Sequence, residues 1–374
     1  MQIEFWLVTV LLRRGLDPRS IFLFTHCDLE NIQTTDTTRK HSYTVTSLTL
    51  SAPHKPATMA ENSTIATRFL ILSDTHDFVF TTDTSQPLQL PTPKADVLLH
   101  CGDLTQVGGV SSFKRALKML GSIDAGLKLV IPGNHDLELD KAFWAAQRDE
   151  EGNPEDPEDH DLAVKAMSGP LAADAGVTFL TEGTHSFTLK TGAKFSIYVS
   201  PYTPAFGDWA FAYEPNEDRF NSPQQTANGV TSIATNPIPN DIDIVMTHGP
   251  PKGILDWCPQ GNVGCPNLLR AVRRAKPLMH CFGHIHEGHG VEAVDWKMRQ
   301  PVTDTGTLPP APRKNEAVHR YFEEDWIENP YPKPFVWEDG RGDRTLAVNA
   351  SIMTGDYKPR NAPWLISLNL PRCS

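Results

Sequence analysis

From Thr67 onward, apolar runs closed by turn residues recur along the chain: RFLILSDTH, ADVLLHCGDL, LKLVIPGNHD, FSIYVSPY, IDIVMTHGPP, LMHCFGHIHEG, TLAVNASIM and WLISLNLP. Their length, composition and Gly/Pro/Asn/Asp boundaries predict strands. Between the second and third lies SSFKRALKMLGSI, where Phe113, Ala116, Leu117 and Leu120 recur at helical spacing behind serines suited to an N-cap. CPNLLRAVRRAKP predicts another helix, with Pro266 in its first turn and Arg273, Arg274 and Lys276 near the negative end of its dipole. Strands alternating with helices make this an α/β protein. Two segments break the rhythm. Residues 148–161 form an acidic, Pro-containing run expected to be a solvated loop, and 297–344 read as a long, charged, Pro-rich insertion. Residues 1–65 are rich in Thr and Ser and lack sustained periodicity, so they read as an N-terminal extension, disordered or a gene-model artefact with Met59 as an alternative start. Residues 66–374 then form one domain.

Composition narrows the function. With 374 residues, 39% hydrophobic and 21% charged, the chain has the make-up of a soluble globular protein. No run approaches the roughly 18 apolar residues that cross a bilayer, so no membrane partner is expected. A net charge of −11 repels phosphate backbones and argues against nucleic-acid polymers. Any anionic substrate then needs metal ions to hold it. The N-terminal MQIEFWLVTVLLRRG is a poor signal peptide, with Glu4 ahead of its apolar run, Arg13 and Arg14 behind it and no small-residue cleavage site. The 6 cysteines include no C-x-x-C pair, and Cys101 and Cys281 sit in buried-strand runs. Reduced thiols and a cytoplasmic location follow, with the sequons at Asn62 and Asn349 idle.

The chemistry lies where the apolar runs stop. LSDTH supplies Asp74 and His76, CGDL Asp103, PGNHD Asn134 and His135, THGPP His248, and GHIHEG His284 and His286. In open α/β sheets ligands bind beyond the carboxyl ends of strands, so these clusters can converge. Aspartates, an asparagine and imidazoles without thiolates suit Mn, Fe or Zn in a catalytic rather than a structural site. They are too many for one metal. Two divalent cations roughly 3.5 to 4 Å apart, sharing a carboxylate and a bridging hydroxide as nucleophile, would use them all. Each motif alone has a simpler reading: D-x-H as an Asx turn, GNHD as turn chemistry, THGPP as a Pro-terminated strand. All of them in this order, each at a strand end, favour the two-metal reading.

The series D-x-H, G-D, G-N-H-D, H and G-H-x-H resembles the calcineurin-like metallophosphoesterase superfamily. It is closer still to the metallophosphoesterase-domain-containing branch, through SDTH, LLHCGDLT, YTPAFGDWAF, DIDIVMTHGPPKGILDW, VGCPNLL and VNAS. The resemblance covers roughly residues 66–371 apart from the insertion. It implies a four-layer sandwich of two mixed β-sheets flanked by helices. It also implies that Asp74, His76, Asp103 and His286 hold one metal and Asp103, Asn134, His248 and His284 the other, with Mn²⁺ first and Fe or Zn as alternatives. His135 would act as general acid for the leaving oxygen or as a donor to the phosphate, with a purely structural imidazole as the alternative. Some animal members of the branch carry glycine where this chain has His284, so both metal sites are expected here. The implied activity is hydrolysis of small phosphate esters, as a phosphodiesterase on cyclic or other nucleotides. A Ser/Thr protein phosphatase is the competing enzyme, although GDLTQVG lacks the arginine of its GDxVDRG, and a metal-bound scaffold with little catalysis is the competing non-enzyme. Trp209 and Phe211 are candidates to stack a base, against the alternative of core positions. Within HCFGHIHEGHG, His280 reads as a hydrogen-bonded core residue and His289 as exposed to solvent or at the site rim.

Overall fold

The computed structural model describes residues 64–83, 88–149, 152–299, 318–319, 331, 333–338 and 342–373. The expected extension therefore lies outside the described residues except for its last two, as do Met59 and most of the 297–344 insertion. Strands are numbered β1 (Thr64–Leu72), β2 (Ala95–His100), β3 (Ala125–Val130), β4 (Val177–Phe179), β5 (Gly183–Thr188), β6 (Lys194–Ser200), β7 (Ile244–Thr247), β8 (Met279–Phe282), β9 (Gly290–Asp295), β10 (Val318–His319), β11 (Phe335–Trp337), β12 (Arg344–Asn349) and β13 (Trp364–Pro371). Among the described residues, the two large sheets have six strands, in the order β11-β13-β1-β2-β3-β4, and seven, in the order β10-β9-β12-β8-β7-β6-β5. Both are mixed. The central pairs β1–β2, β2–β3, β6–β7, β7–β8 and β8–β12 are parallel, whereas β1–β13, β5–β6 and β9–β12 are antiparallel.

Alternation along these strands builds the layers. Phe69, Ile71, Val97, Leu99 and Leu129 of the first sheet share a buried cluster with Ile197, Val199, Ile244, Met246, Cys281 and Val348 of the second. Leu70, Leu72, Leu98 and Val130 point the other way, into a cluster with the helices Val110–Gly121 (α1) and Pro157–Ser168 (α3). Tyr198, Val245, Phe282 and Ala347 likewise pack against the helix Pro266–Ala275 (α5). Helix, sheet, sheet and helix thus form the four expected layers. With both faces of each sheet covered, the strands read as continuous apolar runs. The remaining short helices are Lys141–Ala146 (α2) and Pro170–Asp174 (α4).

Two local readings are corrected. Helix α1 starts one residue before the serines, at a Gly109 N-cap with no side-chain bond, and the Ser112 hydroxyl instead accepts from Arg115 at 2.8 Å. The acidic run is not all loop: Asp156 caps α3 by accepting from the Glu158 amide at 2.9 Å, Pro157 opens it, and Glu158 and Asp159 face the positive end of its dipole. These are helix-start signals, and their density of charge and proline masked them. At the end of the insertion, Phe335–Trp337 adds a parallel edge strand to the first sheet and buries Trp337. Of a separate small unit, a turn is described in which the Asp149 amide donates to the Asn153 carbonyl at 2.9 Å.

Candidate metal centre

The loops leaving β1, β2, β3, β7 and β8 bring their motifs to one place. The Asp74 amide donates to the Gly102 carbonyl at 2.9 Å, and the Thr75 and His76 amides to the Asp103 carbonyl at 2.8 and 3.1 Å. The His135 amide donates to Oδ1 of Asp103 at 2.8 Å, and the His284 amide to both carboxylate oxygens of Asp74 at 3.0 Å. Asp136 ties two of the loops together by accepting from the amides of Leu104, Thr105 and Gly133 and from the Thr105 hydroxyl, at 2.8 to 3.1 Å. Burial, followed by the Asp103 charge, raises its pKa to about 7. The bends are unusual: Asp74, His76, Asp77, Asp103 and His284 all have left-handed φ values, between 42° and 68°. Aspartate tolerates that region better than most side chains, and the amide bonds above hold the rest in it.

Close approach also explains two glycines. A Cβ at Gly133 would lie 2.3 Å from Oδ1 of Asp103 and 2.7 Å from Cε1 of His248, and one at Gly283 would lie 2.1 Å from Oδ2 of Asp74. Strand β8 ends just before Gly283, at Phe282, and the reason for glycine there is space.

The imidazoles show what the cluster is built to hold. His76 Nδ1 faces the Thr105 carbonyl at 3.2 Å, His248 Nδ1 the Cys101 carbonyl at 2.9 Å, and His286 Nδ1 the Thr354 carbonyl at 3.1 Å. A carbonyl can only accept, so each Nδ1 carries its proton, and a ring in its neutral form turns the Nε2 lone pair inward. Those inward nitrogens meet carboxylate oxygens: His76 Nε2 is 3.7 Å from Asp103 Oδ2, His248 Nε2 3.4 Å from Asp103 Oδ1, and His286 Nε2 3.6 Å from Asp74 Oδ1. Two lone pairs facing each other repel unless a cation lies between them. Two ligands each ~2.1 Å from one metal and ~90 to 120° apart are ~3.0 to 3.6 Å from each other, which is close to the spacing found. His76 Nε2 is buried with no hydrogen-bond partner, as a nitrogen reserved for a metal would be. The residues present fit divalent cations.

The protonation equilibria carry the same message. Burial pulls the His248 pKa down, but the Asp103 carboxylate outweighs it and lifts the value to about 9; Asp74 does the same, more weakly, for His286. Burial alone would raise the Asp74 pKa, yet the His286 hydrogen bond and charge bring it to about 2. The carboxylates therefore recruit positive charge onto the inward nitrogens. His76 and His284, lowered to about 3 by burial and then by neighbouring imidazoles, stay neutral and able to ligate.

The donors form two overlapping groups. Asp74, His76 and His286 offer ligand atoms within 4.8 Å of one another, as do Asp103, His248 and His284, while His76, Asp103 and His135 form a third set that joins them. Asn134 lies on the second side, with Oδ1 2.8 Å from His248 Nε2. Every residue named from the sequence as a metal ligand is thus brought together. His135 stands beside them, with its Nδ1 2.6 Å from the Gln106 carbonyl and its ring stacked on Trp209 at 4.0 Å. Trp209 is half-buried at the site, whereas Phe211 belongs to the core. His280 is buried, with Nε2 2.9 Å from the Thr247 hydroxyl, as expected. His289 is not at the rim: it is buried and stacked on Trp364 at 5.1 Å.

Sequence reasoning missed Tyr357, whose ring centroid lies 4.9 Å from His286 and 5.1 Å from His76. It sits in a TGDYKP turn after the last motif, where only turn chemistry was readable. It also left Asp136 of GNHD without a role, although the same four residues carried two site candidates.

Residues 67–288 match the family model described as calcineurin-like phosphoesterase. The human Metallophosphoesterase domain-containing protein 1 is 33% identical over 318 residues, covering 82% of this chain and 73% of that protein, and the mouse protein gives the same figures. A probable rhamnogalacturonate lyase C of Emericella nidulans is 31% identical over 300 residues, 79% of this chain but 24% of that protein. Among solved structures, the phosphopantetheinyl hydrolase of Mycobacterium tuberculosis aligns over 58% of this chain and 82% of that one, with 15% identity and a TM-score of 0.32.

Proposed function

Because the chain belongs to the calcineurin-like phosphoesterase family, metal-dependent hydrolases of phosphoric esters, and within it resembles the metallophosphoesterase-domain-containing proteins, we propose that it is a phosphodiesterase acting on cyclic or other nucleotides. Asp74, His76, Asp103 and His286 hold one divalent ion and Asp103, Asn134, His248 and His284 the other, with Mn²⁺ as the native choice. The reading rests above all on the inward Nε2 atoms of His76, His248 and His286 set against carboxylates at 3.4 to 3.7 Å. Bound there, the metals would supply Lewis acidity toward the phosphate oxygens and an acidified water as nucleophile.

The chain's own residues do the rest. Asp103, sharing its two oxygens between His76 and His248, sets the separation of the two sites, and the His135 amide on Oδ1 fixes its rotation. His135 donates through Nδ1 to the Gln106 carbonyl, which leaves Nε2 to face a leaving oxygen. That nitrogen donates a proton only when the ring is an imidazolium, a form that burial disfavours by lowering the His135 pKa, so the general-acid role is confined to the acidic side of its titration. Trp209 holds the ring in place by stacking. Cys101, Cys258, Cys265 and Cys281 are buried as thiols, which accords with a cytoplasmic setting, and among the described residues no helix is long and apolar enough to cross a membrane.

Turnover of bis(p-nitrophenyl) phosphate, p-nitrophenyl phosphate and the 2′,3′- and 3′,5′-cyclic nucleotides, with Mn²⁺ and with chelator, tests the proposal. Metal-dependent hydrolysis of the diesters above the monoester is expected. Faster release from the monoester, or none from any diester, would overturn it.

A further inference from the structure

Tyr357 lies in the loop between β12 and β13, in a turn closed on itself. The Thr354 amide donates to the Lys358 carbonyl at 2.9 Å, the Thr354 hydroxyl to the same carbonyl at 3.1 Å, and the Tyr357 amide to the Thr354 carbonyl at 2.8 Å. That Thr354 carbonyl also accepts from His286 Nδ1 at 3.1 Å, so the turn that orients one imidazole places the tyrosine as well. Tyr357 adopts φ 57°, a left-handed conformation that a bulky side chain enters only when its surroundings impose it. Such outliers gather where a side chain is being aimed. The ring is aimed at the site: its centroid is 4.9 Å from His286, 5.1 Å from His76 and 6.4 Å from His135. The residue nevertheless stays 41% exposed, so it is not a core filler.

Those three imidazoles form a row, with His76 5.4 Å from His286 and 4.7 Å from His135. Tyr357 packs most closely at the His286 end, and Trp209 closes the other end, stacked on His135 at 4.0 Å and 29°. The row of imidazoles is therefore bordered by two aromatic rings supplied by separate loops. Aromatic walls discriminate by shape and polarisability: they stack planar π systems and gain much less from a small alkyl group. Phosphate held over the row leaves its ester substituent against these rings.

We propose that Tyr357 is a specificity-determining residue whose ring, with Trp209, borders a slot for phosphate compounds carrying a planar aromatic group, an aryl ring or a nucleobase. The slot deepens the phosphodiesterase reading and rests on it for the position of the phosphate. Tyr357→Phe keeps the wall, whereas Tyr357→Leu and Trp209→Leu each remove one side.

Calorimetry with phenylphosphonate and methylphosphonate, which cannot be hydrolysed, reads the slot directly in the Mn²⁺-loaded protein. The wild type should bind the phenyl compound about tenfold tighter. The preference should persist in Tyr357→Phe and fall below about twofold in both leucine variants, with metal content unchanged. Turnover of phenyl and methyl p-nitrophenyl phosphate, which share a leaving group, should show the same ratio. Absence of a preference in the wild type, or its survival in both leucine variants, overturns the slot. A phenylphosphonate preference lost in the leucine variants, in a protein that turns over neither diester, would support the slot and remove the phosphodiesterase reading alone.

Discussion

Replacing Gly283 by alanine adds one methyl group at a tight point of the cluster without replacing any ligand. The new Cβ would stand 2.1 Å from Oδ2 of Asp74 and 2.2 Å from Oγ of Ser73. Ordinary carbon contacts begin near 3.5 Å, so a gap of about 1.4 Å must open toward Asp74. The backbone resists, since the Ser73 amide donates to the Ala350 carbonyl at 2.9 Å and the Asp74 amide to Gly102 at 2.9 Å. The Asp74 carboxylate, at the end of two torsions, is what gives way. Metal–ligand distances tolerate only about 0.2 Å, and a misplacement of ~1 Å at a reacting centre costs ~10²-fold in rate. Gly283→Ala should therefore bind about half the wild-type Mn²⁺ and lose at least about 10² in kcat/KM on bis(p-nitrophenyl) phosphate. Overpacking should add about 1 to 3 kcal/mol of destabilisation, visible as a lower midpoint in chemical denaturation. Elemental analysis after desalting and the release of nitrophenol provide the readouts. Full metal content with turnover within threefold of wild type would refute the claim that Asp74 is a ligand whose position matters.

His135→Ala should slow esters with poor leaving groups by roughly 10² to 10⁴ while sparing nitrophenyl esters, whose oxygen needs no proton; equal losses on both would assign the ring to phosphate binding. High Mn²⁺ should partly restore His284→Ala, because the Asp74, His76 and His286 side survives, and metal titration showing two full sites in that variant would contradict the assignment. For His280, burial lowers the folded pKa from 6.5 to about 3, so the unfolded chain binds the extra proton and stability falls as pH drops below the unfolded value. In chelator, wild type should lose about 2 kcal/mol more than His280→Leu between pH 7 and pH 5, and parallel denaturation curves at the two pH values would exclude that account.

The fold and most of the candidate ligand set were legible because two regularities coincide in this chain. Strands covered on both faces are continuous apolar runs, so their ends are visible as abrupt changes, and parallel strands bring those ends to one edge. Asp74, Asp103, Asn134, His248 and His284 could be read from that alone. What could not be read depends on contacts between loops. Tyr357 reaches His76 from a turn after the last motif, and Asp136 acts by collecting amides from two different loops. His289 failed for a related reason: a glycine beside it signals exposure locally, but its ring is buried against Trp364, a contact distant in sequence. The acidic stretch before α3 carried both loop and helix-start signals, and its capping bond decided between them.

The central claim is a pair of metals sharing Asp103, and anomalous diffraction from crystals grown with Mn²⁺ tests it most directly. The account expects two peaks about 3.5 to 4 Å apart. The Asp103 carboxylate should lie between them, with Asp74, His76 and His286 on one side and Asn134, His248 and His284 on the other. A single peak, or two peaks that Asp103 does not bridge, would contradict it.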